Sequence, residues 1–407
     1  MDANMKTGED LALWRDGAAD LVPTVVALRR DIHSFPEQGL HLPETTRKVR
    51  AALAGLDVEI AQGKSTSGLI VTLRGAQQGP TILLRGDMDA LPMPEDTDVP
   101  FKSAVEGSMH ACGHDAHTAM LVGAVHLLHR HRERLNGTVK FMYQPGEEGH
   151  HGARFMIEDG MLDAAPKPQA AFAIHISPNI PVGVIASRPG PLLAASDKIE
   201  ITITGKGGHA SQPHLTLDPV PAACEIVQAF QTFVTRRIDA FDPIILSISQ
   251  IAAGSAINVV PEEVRMRGTL RSFSDANRLR GREGITRIAE GIARTHELQA
   301  DVQIEPGYGV TRNDSDFVAF ARGVATDLFG AERYHDMPAP IMGAEDFSYV
   351  LERMPGCMVF LGVAPHGVTP GHAHACHSNR MTLNEDALAD GVALHAAIAD
   401  RFLNTPR

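Results

Sequence analysis

Cysteine is scarce in this chain, with four residues (Cys112, Cys224, Cys357 and Cys376) among 407. At this length that is too sparse for a disulfide framework. Long apolar runs are missing as well. No window reaches the roughly 18 uninterrupted apolar residues of a membrane span. The polar stretch Met1 to Asp10 carries no apolar segment of the kind a signal peptide needs. A soluble, cytoplasmic protein without a membrane partner is therefore expected. No basic block is present to track a phosphate backbone, and the formal net charge is -12, which disfavours nucleic acid as a partner. The Gly-x-Ser-x-Gly elbow of serine hydrolases is absent, as are internal repeats and low-complexity tracts.

What is present is ordinary globular composition, 43% hydrophobic and 21% charged, with enough chain for two domains or one large domain carrying an insertion. Leu21 to His33 and Glu44 to Leu56 read as helices. Leu69 to Arg74, Thr81 to Arg85, Val139 to Tyr143 and Ala170 to Ile176 read as strands, with a long helix over Thr118 to Arg134. Strands alternating with helices predict an α/β domain with a largely parallel sheet.

After Gly190 the pattern changes. Strand Asp197 to Thr204, helix Pro219 to Ile238 and strands Ile244 to Ala252 and Glu263 to Ser272 follow one another. Helix Asp275 to Glu297 and strand Ala300 to Glu305 complete a β-α-β-β-α-β order, that of a ferredoxin-like unit. From Asp314 the first style returns, with helix Phe317 to Leu328, strand Cys357 to Gly362 and helix Glu385 to Phe402. The expected architecture is a split catalytic α/β domain (residues 1–186 and 305–407), with a mostly parallel sheet flanked by helices. A ferredoxin-like α+β domain (residues 187–304) is inserted into it.

Histidine is abundant, at 20 residues, and it clusters. In His110-Ala-Cys-Gly-His-Asp-Ala-His117, a loop spacing lets Cys112 and His114 converge on one ion, with Gly113 relaxing the backbone between them. The competing reading is a polar helix start with Asp115 near the cap. Gln144-Pro-Gly-Glu-Glu-Gly149 follows a strand, where α/β domains place their sites. One of the adjacent carboxylates can ligate a metal while the other takes a proton from water; a solvated acidic turn is the plain alternative. His175 ends a buried strand, and His377 lies in a polar loop beside Cys376. Either could be an ordinary structural residue. Gly205-Lys-Gly-Gly-His-Ala-Ser211 suggests a close backbone approach with His209 as its chemically useful member. It is not a P-loop, and a glycine-rich hairpin is an equal alternative. Asp87-Met-Asp89 at a strand end supports the site or merely terminates the strand.

Taken together, Leu84 to Pro92, His110 to Met120, Gln144 to Gly149, Gly207 to His214, Asn258 to Pro261, Gly268 to Arg271, Met342 to Tyr349 and His377-Ser378 resemble the metallo-aminoacylase and carboxypeptidase superfamily. More narrowly they resemble its amidohydrolase branch, which includes hippurate hydrolases and auxin–amino acid conjugate hydrolases. The segments run in family order over nearly the whole chain.

The resemblance implies two divalent metal ions per subunit, manganese or zinc, with cobalt and nickel admissible. It implies Cys112 (bridging), His114, Glu148, His175 and His377 as ligands, and Glu147 as general base. It implies Asp89 as a supporting acid, and Asn258 and Arg271 near the substrate carboxylate or oxyanion. His209 matches a residue that reaches the neighbouring subunit's site, and the inserted domain a lid and dimerisation module. A homodimer or dimer of dimers acting on N-acyl amino acids follows, with dipeptidase, carboxypeptidase or N-acetyl-amino acid deacetylase activity as alternatives. Two rivals stand outside it: a cysteine hydrolase using Cys112, and a metal-dependent binding protein without catalysis. The sequence departs from the family pattern at His150 and His151, read as surface residues, and in the less aromatic stretch after His377.

Overall fold

The structure, a computed structural model, describes residues 2–405. Met1, where the polar N-terminal stretch begins, and Pro406 and Arg407, which end the expected catalytic segment, lie outside the described residues. The chain divides into two compact units. One comprises the chain up to Leu192, Arg312–Ala339 and the chain from Tyr349 onward; the other comprises Leu193–Thr311 and Pro340–Ser348.

Among the described residues, the first unit is built on an eight-stranded sheet. Its order in space is Glu59–Gln62, Leu69–Arg74, Asn136–Gln144, Gln77–Asp87, Ala170–Ser177, Gly356–Gly362, Ile185–Ser187 and Tyr334–Asp336. The strands from Asn136–Gln144 to Gly356–Gly362 in that order are mutually parallel; the pairings that flank them are antiparallel, and the edge strand Tyr334–Asp336 runs parallel to Ile185–Ser187. The parallel strands are buried along most of their length, which is why they read in sequence as continuous apolar runs. Leu121, Val125, Val392 and Ile398 of the helices His114–Arg130 and Leu388–Asn404 share one core with Ile82, Leu84, Phe141 and Ile174 of the sheet. The helix His114–Arg130 is buried on nearly every side, so its polar residues are inside the protein rather than on a solvated face.

The second unit carries a four-stranded antiparallel sheet ordered Ile244–Ala253, Glu263–Ser272, Ala195–Thr204, Gln299–Pro306. Numbered along the chain this is 2-3-1-4, the ferredoxin-like order expected from the sequence. Ala195–Thr204 alternates buried and less buried positions. Its Ile199, Ile201 and Ile203 pack against Ile226, Phe230 and Phe233 of the helix Pro219–Arg237 and Ile285 and Ala289 of the helix Asp275–Thr295. Both helices start with a side-chain cap: Asp218 accepts from Val220 N at 3.0 Å, and Ser274 Oγ from Asn277 N at 3.2 Å. The buried carboxylate of Asp197 receives Arg278 at 2.6 Å and Arg282 at 2.7 Å.

The mostly parallel sheet with flanking helices also matches the sequence expectation, with differences at the ends of elements. The first helix runs over Asp2–Ser34 with Pro23 inside it, well upstream of the expected Leu21. The strand Gln77–Asp87 extends beyond Thr81 to Arg85 in both directions. Glu59–Gln62, Ile185–Ser187 and Tyr334–Asp336 are three or four residues long, too short for an alternation to register. Among the described residues no helix is long and apolar enough to cross a membrane.

Candidate metal centre

Parallel strands send their carboxyl ends to one edge of the sheet, and the loops that follow converge there. Asp87 closes the strand Gln77–Asp87 opposite Gln144, the last residue of Asn136–Gln144. Glu147 and Glu148 follow within four residues, and His175 sits near the end of Ala170–Ser177. The sequence reading placed Cys112 and His114 together in a loop. Instead, His114 is the first residue of the helix His114–Arg130, and Gly113 is its left-handed N-cap with φ 85°. Glycine is needed there for space too, because a Cβ would lie 2.3 Å from Ile176 Cγ1. The backbone N–H of His377 donates to Ala111 O at 2.7 Å, bringing the late loop beside Cys112.

Among the sets of donor atoms that come within 4.8 Å of one another are Cys112, His114 and His175; Cys112, Glu148 and His377; His114, Glu147 and Glu148; and Asp87, His114 and His117. The first two share Cys112. Its Sγ is 3.5 Å from His175 Nε2, and His377 Nε2 is 3.2 Å from Glu148 Oε1.

Hydrogen bonds fix which atoms face inward. His175 Nδ1–H donates to Ile176 O at 2.7 Å and His114 Nδ1–H to the carbonyl of Asp89 at 2.8 Å. Each ring therefore presents the Nε2 lone pair, the arrangement that prepares histidine for a metal. His114 Nε2 is buried and, among the described residues, has no hydrogen-bond partner. The buried carboxylate of Asp89 accepts from Glu147 N and Glu148 N, both at 2.9 Å. It thereby pins the turn that carries both glutamates.

A matching family model covers residues 83–401 and describes peptidase family M20/M25/M40. The chain belongs to that family. Over 382 residues it is 38% identical to the N-acetylcysteine deacetylase of Bacillus subtilis, covering 94% of this chain and 97% of that protein. It is 39% identical over 383 residues to IAA-amino acid hydrolase ILR1-like 2 of Arabidopsis thaliana, covering 93% and 85%. Among solved structures, a dinuclear metal-binding peptidase of the M20 family from Bacillus subtilis matches with a TM-score of 0.82 and 34% identity, covering 95% of this chain and 99% of that one. This M20 family member is a metal-dependent hydrolase, amidohydrolase- and peptidase-like, with two divalent ions.

The donors fit such ions. Two candidate ligand triads that share Cys112, with a buried imidazole at His114, a half-buried one at His175 and an exposed one at His377, would suit borderline-soft divalent cations. The electrostatics agree. Burial pushes the His114 imidazole down, but Asp87, Asp89 and Glu148 outweigh it and raise its pKa well above the usual value, so this spot draws positive charge. Burial opposes ionisation of Glu148, yet His377 and His114 leave its pKa lowered. His175 is pushed down by burial to about 4, and stays a neutral donor.

In this M20 centre His117 was not given its role from sequence, whereas Asp87 was read as supporting the site or terminating its strand. His117 Nε2 accepts the N–H of Ile176 at 2.8 Å, and its Nδ1–H donates to Asp87 Oδ1 at 2.6 Å. Both nitrogens are engaged, so His117 braces the strand end beside His175 rather than ligating. Asp87, held also by Arg85 at 2.6 Å, anchors that brace. The three-residue step from His114 to His117, which puts both rings on one helix face, is the signal that could have shown it. His150 is exposed as expected. His151 is not a surface residue: it is half-buried, left-handed (φ 58°), and its Nδ1 pairs with the Tyr349 hydroxyl at 2.8 Å.

His209, Asn258 and Arg271 belong to the second unit. His209 and Asn258 share a small ribbon in which Val259 pairs with His209 and the Asn258 carbonyl accepts Ala210 N at 3.0 Å. The glycines before His209 serve this packing, since a Cβ on Gly205 would lie 2.0 Å from Leu217 O. Ser211 N–H and Oγ–H both donate to His209 Nδ1, at 3.1 and 2.7 Å, so the exposed Nε2 carries the proton. Arg271 is half-buried, with Nη1 donating to Met342 O at 2.8 Å.

Proposed function

We propose that the protein hydrolyses the amide bond of N-acyl amino acids, with Glu147 as general base. The observation that carries this reading is the pair of donor triads sharing Cys112 with Glu147 beside the second carboxylate. Cys112, His114, Glu148, His175 and His377 would hold two divalent ions, zinc by the donor set and manganese or zinc by the family resemblance, which would supply an acidified water and a polarised carbonyl. Glu147 takes a proton from the attacking water and returns it to the leaving amine nitrogen. Asp89 keeps Glu147 in place through the backbone N–H it accepts. His209, supplied by a second copy of the chain, offers Nε2–H to the oxyanion. Asn258 and Arg271 receive the substrate's carboxylate.

The second unit serves in this reading as lid and dimerisation module. The deacetylase and conjugate-hydrolase names of two relatives support an acyl amino acid, and the carboxypeptidase name of another keeps a peptide as the alternative. Metal analysis combined with hydrolysis of benzoylglycine, acetyl-amino acids, an indoleacetyl conjugate and dipeptides, before and after chelation, tests it. About two metals per chain and cleavage of the acyl amino acids that chelation abolishes and metal restores are expected. Cleavage of dipeptides alone would replace the substrate, and chelation-resistant cleavage would return Cys112 to the role of nucleophile. A mixed dimer of His209→Ala and Glu147→Ala subunits should regain activity absent from either homodimer. No recovery would remove the cross-subunit role.

A further inference from the structure

Cys376 plays no part in the function above, yet it lies one residue before His377 and is half-buried. Its Sγ lies 3.9 Å from the backbone carbonyl oxygen of Cys112. Neither is in a disulfide. The bond from His377 N–H to Ala111 O holds the two segments together at this point. Cys376 is the more accessible of the two, since Cys112 is 6% exposed.

We propose that Cys112 and Cys376 are a thiol-oxidation site: in the metal-free protein they close to a disulfide that withdraws Cys112 from the metal centre. The consequence for metal rests on the ligand role of Cys112 proposed above; the bond itself does not. The Cys376 thiolate attacks a low-molecular-weight disulfide such as oxidised glutathione, forming a mixed disulfide and expelling one glutathione thiolate. The Cys112 thiolate then attacks the Cys376 sulfur, forming the Cys112–Cys376 bond and expelling the second. Two electrons pass to the oxidant, and the two thiol protons end on the two released glutathiones. A dithiol reductant reverses the step. In the holoenzyme Cys112 is engaged as a ligand and is not available to attack.

The test incubates metal-free and Zn²⁺- or Mn²⁺-loaded protein with oxidised glutathione, counts free thiols and maps peptides. The metal-free protein is expected to lose two thiols and give a Cys112–Cys376 cross-linked peptide. It should then take up no metal until treated with dithiothreitol, while the loaded protein keeps both thiols. Cys376→Ser should load metal as the unmodified chain does and give no cross-link. A stable glutathione adduct on Cys376 with Cys112 still titratable overturns the disulfide. A cross-link that forms equally in metal-loaded protein overturns instead its consequence for metal, together with the ligand role of Cys112.

Discussion

Among the described residues, Asp197 is the one charged side chain buried between Leu193 and Thr311, whereas the first unit buries Arg29, Arg85, Asp87, Asp89, Glu95, Asp115, Lys140 and Glu147 along with His33, His110, His114 and His117. Burying charge costs several kcal/mol per ion unless partners restore what water supplied. The second unit buries Asp197, whose two arginines tie its first strand to its second helix, and Glu345 and Asp346 in its late segment Pro340–Ser348. The first unit meets the cost with chains of partners. Asp115, next to His114, takes Arg29 at 2.7 Å and His33 at 2.8 Å, and His33 reaches Glu95 at 3.2 Å. Most of the buried charge is in the first unit, which therefore carries the candidate metal centre at the expense of a plain apolar core.

The sharpest way to break this contrast is at Glu147. Glu147→Gln should lower turnover by about 10²–10⁴-fold with metal content and melting temperature unchanged; near-normal kcat would remove it as the base. Next comes Asp89. An asparagine can accept only one of the two N–H bonds at 2.9 Å, so Asp89→Asn should weaken metal affinity about 10–100-fold, read by competition with a chelating dye.

In the second unit, Asp197→Ala leaves Arg278 and Arg282 facing an empty position. It should cost about 3–5 kcal/mol, with hydrogen exchange quickening in Asp275–Thr295 while metal content stays the same. Loss of metal instead would show that the two units do not divide their tasks. The acid limit follows the same residue. Burial alone would raise the Asp197 pKa, but the bonds from Arg282 and Arg278 leave it lowered. Its contribution is therefore complete above the unfolded value of about 3.9 and is lost as pH falls through the lower folded value. A pH titration of helix protection in Asp275–Thr295 should show the loss below about pH 4, and Asp197→Asn should abolish that step. The smallest effect is expected at Ser274, where Ser274→Ala removes the cap on Asn277 N and costs about 1 kcal/mol in denaturant unfolding.

How much of this the sequence disclosed depended on the range of the interaction. Val139 to Tyr143 and Glu263 to Ser272 were legible because a buried strand and a half-buried one write their environment into consecutive residues. Cys112, Glu147 and Glu148 stood out through unusual local chemistry. The start of the helix at His114 was left open between a metal-binding loop and a polar helix start near Asp115, because its cap is Gly113 in a left-handed turn rather than a Ser, Thr or Asp. The brace from Asp87 through His117 to Ile176, and the contact of Cys376 with Cys112, join residues 30 to 264 positions apart. Beyond the three-residue step from His114 to His117, no local pattern points to such pairs. The roles of His175 and His377 came from the family resemblance rather than from their neighbours in sequence.

The order in which the chain is synthesised gives the interruption of the first unit a cost in time. The strand Gly356–Gly362 pairs directly with Ala170–Ser177, so a nascent chain exposes that unpaired edge until the whole second unit has emerged. His377 follows His175 by about two hundred residues, which at about 5–20 residues per second is a wait on the order of ten to forty seconds. The second unit, nearly continuous in sequence, can fold during that interval. The first must remain open, so the candidate metal donors come together only once His377 has emerged.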